Sequence, residues 1–193
     1  MTSKMTNTMS GKTTIATLMA LAFVVLGAAG AFAATDSASH DIVLDVQEIA
    51  VIGLNDASSI TLSTAGTIAA GADPSTAADD TDSSKLLRYT SVVQSGTTHS
   101  ITVALGATGV PAGTQLAVEA TSMPGAANVG SATGEVILSS TANNLITGIG
   151  STATGTGANG VELTYRYRIT DVSAMATDGD ATVTVIYTLT DAS

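Results

Sequence analysis

The sequence predicts an all-β fold: an antiparallel β-sandwich, Greek-key or jelly-roll-like, preceded by an N-terminal hydrophobic signal helix. Three observations lead there. Val161 to Thr170 and Ala181 to Thr190 alternate apolar and polar residues and are rich in β-branched and aromatic side chains, the pattern of a strand with one buried face. Shorter segments repeat the pattern between turns built from Gly, Pro, Asn and Asp. No stretch beyond residue 34 carries a convincing helical period, and a chain of strands buries its apolar faces by stacking two sheets.

Residues 1–34 stand apart from that fold. Lys4 and Lys12 give a positive start, Thr13 to Ala34 carries no charge, and the apolar run from Ile15 to Gly30 ends in Ala31-Phe32-Ala33. This is the layout of a signal peptide with a small-x-small cleavage site. The expected organisation is therefore a signal peptide over 1–34 and a single β-sandwich domain over 35–193. About 20 apolar residues also suffice to span a bilayer, so a retained anchor or pilin-like helix is the competing expectation. A polar Thr/Ser/Asp segment without a basic stop-transfer cluster follows, which favours cleavage.

Composition bounds the remainder. Both Phe residues lie in the leader and there is no Trp, so the core is built from Val, Ile, Leu and Ala with Tyr89, Tyr165, Tyr167 and Tyr187. All sixteen acidic residues fall after residue 34, against Lys85, Arg88, Arg166 and Arg168, a net charge of −12. Such a surface repels nucleic acid and anionic headgroups. Neither nucleic-acid binding nor membrane contact after cleavage is expected. The absence of cysteine removes disulfides, thiolate metal sites and cysteine nucleophiles.

In chain order, Thr35 to His40 is polar. Ile42, Leu44 and Val46 then alternate on even positions, whereas Ile49 and Val51 fall on odd ones; a parity switch at Gln47-Glu48 predicts a bulge or a bend between sheets. Ile60 to Leu62 reads as a short strand. Gly66 to Ser84 reads as a long loop, with Pro74 and the acidic cluster Asp79, Asp80 and Asp82. Strand signals resume over Leu86 to Val93, and Gln94-Ser-Gly96 reads as a hairpin turn. His99 to Leu105 follows with Ile101, Val103 and Leu105 inward. Pro111-Ala-Gly113 turns the chain into Gln115 to Ala120, with Leu116 and Val118 inward. Glu135 to Ser139 is another short strand, while Asn143 to Gly150 mixes apolar residues with glycines. In Val161 to Thr170 the tyrosines face in, and Arg166 and Arg168 face out towards cross-strand carboxylates. Asp178-Gly-Asp180 turns into Ala181 to Thr190, whose unbroken alternation of Val183, Val185, Tyr187 and Leu189 predicts a central strand.

The segments His40 to Leu44, Leu145 to Gly150, Leu163 to Tyr165 and Val183 to Asp191 resemble a group of exported bacterial β-sandwich proteins without assigned function, loosely pilin- or matrix-subunit-like. The likeness covers most of the chain after the leader, and its motifs are structural. It implies an exported β-sandwich and no catalytic signature. Members of the group often carry a cysteine just after the Gly-Ile-Gly segment; Ser151 stands there in this chain, so no family disulfide carries over.

Candidate sites are few. Asp79, Asp80 and Asp82, with Asp73 nearby, offer hard oxygens of the kind calcium takes, but they lack the order of a calcium loop, and a solvated loop is the better reading of them. Asp178 and Asp180 are explained by their turn. His40 and His99 are the two imidazoles; no Gly-x-Ser-x-Gly is present, and Thr98 and Ser100 beside His99 read as incidental surface hydroxyls. No catalytic residue and no cofactor site is assigned, calcium being the one cofactor weighed. Ile42, Leu44 and Val46 read either as the first strand of their own sandwich or as an assembly strand that completes a neighbour's sheet. The expected function is a secreted, non-enzymatic structural subunit of a filament, surface layer or matrix. It would associate as a homo-oligomer or polymer through strand edges, with N-terminal donor-strand exchange as one mode. The alternatives are a secreted ligand- or calcium-binding module, and a pilin-like protein that keeps its hydrophobic helix.

Overall fold

Ten strands form two antiparallel sheets in the computed structural model, which describes residues 38–64, 69–175 and 181–191. The signal helix expected over 1–34 and the turn at Asp178 and Asp180 lie outside the described residues. The strands are β1 (Ile49–Leu54), β2 (Asp80–Val92), β3 (His99–Leu105), β4 (Thr114–Ser122), β5 (Ser131–Ala132), β6 (Val136–Ile137), β7 (Asn143–Ile149), β8 (Thr152–Ala153), β9 (Val161–Ile169) and β10 (Val185–Asp191). The larger sheet runs β1-β2-β9-β4-β6, with β8 also paired to β2; the smaller runs β10-β3-β7-β5. The all-β, sandwich-like expectation holds.

Alternation builds the filling between the sheets. On β9, Val161, Leu163 and Tyr165 are buried, while Arg166 and Arg168 lie on the other face. Across the gap stand Ile101, Val103 and Leu105 of β3 and Leu145, Ile146 and Ile149 of β7. Each fully buried aliphatic side chain contributes about 1.5–3 kcal/mol relative to exposure. Polar ties also cross between sheets: the Tyr165 and Tyr187 hydroxyls are 2.7 Å apart. On the outer face, Arg166 pairs with Glu119 and Glu135, and Arg168 with Glu135 and Asp79, as the cross-strand reading expected. The Nε contacts of these arginines have ion-pair distance without hydrogen-bond geometry.

Several local expectations are corrected. Among the described residues β10 is an edge strand, paired to β3 alone; alternation specifies which faces are wet, not how many neighbours a strand has. Gln94 to Gly96 is not a hairpin, because β2 and β3 belong to different sheets. The Thr97 amide donates to the Gln94 carbonyl at 3.1 Å, closing an arch that carries the chain from one layer to the other. Asn143–Ile149 is a full strand in the middle of the smaller sheet. The loop expected up to Ser84 ends early, since β2 starts at Asp80. Ile60 to Leu62 is not a strand, although Ile60 and Leu62 pack against the core. No parity switch marks residues 47–48: β1 starts at Ile49, and Ile52, not Ile49 or Val51, packs on the core. Residues 38–44 form no strand, and Ile42, Val43 and Leu44 are exposed.

Candidate functional site

The strand β3 opens with His99, and its odd position turns the imidazole inward alongside Ile101 and Val103. Ser91 of β2 faces it from the opposite sheet. Both residues are buried, and Ser91 Oγ lies 2.8 Å from His99 Nδ1. At the other ring nitrogen, Nε2 lies 2.7 Å from Glu48 Oε1 and 2.8 Å from Asp191 Oδ1. Asp191 ends β10 and is the direct register partner of His99, while Glu48 immediately precedes β1. The ring is thus gripped by elements of both sheets. His99 is 1% exposed, and the two carboxylates, 51% and 79% exposed, stand on its solvent side.

This corrects the expectation that His99 has only incidental hydroxyl neighbours. Its partners come from residues 48, 91 and 191. Serine, imidazole and carboxylate have the connectivity of a hydrolase triad, with hydroxyl and acid on opposite nitrogens. Ser91, however, is fully buried between the layers, so its oxygen is not placed to meet a substrate. Among the described residues, Glu48, His99 and Asp191 are the group whose ligand atoms converge, all within 4.8 Å of one another.

The calcium candidates are not brought together in such a group. Asp79 pairs with Arg168 at 3.3 Å. Asp80 Oδ2 accepts the Ser63 amide at 2.7 Å, and Asp82 Oδ1 accepts the amide and hydroxyl of Ser84 at 2.9 and 2.7 Å. Asp73 caps the 3-10 turn Pro74–Thr76 by accepting the Ser75 amide at 2.9 Å; that bond holds its carboxyl below the usual carboxylate range. The assembly candidates are open: Ile42, Leu44 and Val46 are 69%, 86% and 83% exposed, and none lies in a strand.

Comparison with protein-family models, curated proteins and solved structures finds no match.

Proposed function

We propose that the chain is a secreted, non-enzymatic structural subunit of an extracellular filament, surface layer or matrix, joined to its neighbours by N-terminal donor-strand exchange. The observation that carries this reading is the exposure of Ile42, Leu44 and Val46 just ahead of β1. Three large aliphatic residues at alternate positions form one apolar face when the segment is extended. Laid into a neighbouring copy, each would gain about 1.5–3 kcal/mol of burial, and the backbone would add a strand to an open sheet edge. The outer edges of β1 and β10 have no strand partner among the described residues. Neither strand carries the Lys or Pro that usually blunts an edge. The calcium-module reading has less support, since each candidate carboxylate already serves a protein donor.

Electron microscopy and sedimentation of the purified protein test the proposal, comparing it with an Ile42→Ser, Leu44→Ser, Val46→Ser triple variant and with a deletion of residues 35–47. The wild type is expected to polymerise. The triple variant is expected to stay monomeric with an unchanged melting temperature, because the three side chains are exposed in the single copy. A wild type that stays monomeric at high concentration, or a triple variant that polymerises like it, overturns the reading.

A further inference from the structure

We infer that Glu48, His99 and Asp191 form a binding site for a zinc-class divalent cation that staples the two sheets together. The reason is the convergence of two carboxylates on one imidazole nitrogen. A single Nε2–H has one proton to share between Glu48 Oε1 at 2.7 Å and Asp191 Oδ1 at 2.8 Å. Among the described residues no lysine or arginine ion-pairs with either carboxylate: Lys85 serves Asp56, and Arg166 and Arg168 serve Glu119, Glu135 and Asp79. A cation replacing that proton gives all three ligand atoms a partner at once.

The geometry and the donor set agree with this assignment. Zinc takes imidazole nitrogen and carboxylate oxygen at about 2.0–2.2 Å, and a tetrahedral shell of that radius sets its ligand atoms roughly 3.3 Å apart. The carboxylates must therefore withdraw from Nε2 by about 0.5 Å, and their oxygens, which lie within 4.8 Å of each other, must settle at the same spacing of about 3.3 Å to admit the ion; both are exposed enough to move while the buried ring stays fixed. Imidazole with carboxylate suits zinc, cobalt or nickel; calcium takes six to eight oxygens and rarely nitrogen. Behind the ring, the Ser91 hydroxyl at 2.8 Å from Nδ1 is the oxygen to which a metal-bound histidine donates its second N–H. Three protein ligands leave one tetrahedral position for water or an external group. With Glu48 just ahead of β1 and Asp191 at the end of β10, the ion would clamp the edge strands of opposite sheets.

Isothermal titration and thermal melting of chelator-treated protein with zinc chloride test the inference, alongside histidine nitrogen NMR. One equivalent of zinc is expected to bind saturably, to raise the melting temperature with concentration and to shift the Nε2 resonance of His99. Glu48→Gln and Asp191→Asn, whose native side chains are largely exposed, should each weaken binding at least about tenfold, and Ser91→Ala about 10–100-fold. His40→Ala should leave binding unchanged. Circular dichroism of each variant separates lost binding from lost fold. The inference is overturned by the absence of saturable zinc binding, by a folded Glu48→Gln/Asp191→Asn double variant that binds like wild type, or by binding that leaves His99 Nε2 unshifted.

Discussion

Gly113 holds a φ of 75°, and a Cβ built on it would sit 2.2 Å from the Asp171 carbonyl oxygen and 2.8 Å from Met175 Cγ. Its own carbonyl accepts the amides of Thr170 and Asp171 at 2.8 and 3.1 Å. The turn into β4 is thereby bolted to the chain leaving β9, and both the left-handed backbone and the close approach require glycine. Gly113→Ala should lower stability by about 2–4 kcal/mol, read as a shift in the urea midpoint without a change of slope; an unshifted midpoint would disprove the close approach. The sequence marks the turn through Pro111 and Gly113 but not what faces it. His99 is the opposite case. Its inward direction was legible from its parity with Ile101, Val103 and Leu105, but Glu48 and Asp191 lie 51 and 92 positions away, beyond the reach of any local pattern.

Strands differ in how well the sequence announces them. β9 and β10 alternate cleanly, and both present the expected residues to the core. Alternation cannot tell a strand with two neighbours from a strand with one, so the central position falls to β9, flanked by β2 and β4, rather than to β10. β7 was obscured for another reason: Leu145, Ile146 and Ile149 are all fully buried without alternating. Its pairing with β3 slips register on either side of Ile101, which lets adjacent residues both reach the interior. The difference between β9 and β10 is measurable. Leu163→Ala, at a fully buried position of β9, should cost about 2–5 kcal/mol. Ile186→Ala, on the outer face of β10 and 47% exposed, should stay within about 0.5 kcal/mol. Equal costs in denaturant titration would contradict the assignment of Ile186 to the outer face of β10.

At the scale of the whole molecule, the described residues hold no Phe or Trp, so tyrosines are the large aromatic rings among them, and their hydroxyls become a pH liability. Burial pushes Tyr89 up to about 12. It also raises Tyr165 and Tyr187, whose hydroxyls share one hydrogen bond. In the unfolded chain tyrosine ionises near 10. The unfolded state thus releases protons first, so stability is intact below about pH 10 and falls as pH climbs towards 12 and beyond. Absorbance at about 295 nm, the phenolate band, should show most tyrosines ionising together with the loss of the circular dichroism signal, not before it; native dichroism with those rings already titrated near their ordinary value would refute this. The two-layer plan itself was readable because it depends on composition and alternation, whereas the wiring depends on distant partners. Thr190 bonds to Ser100 across 90 positions of chain. Little in the vicinity of either strand can hold that pairing ahead of time, so the search for it sets the pace of folding, placing this protein among chains that need milliseconds to seconds to reach their native state.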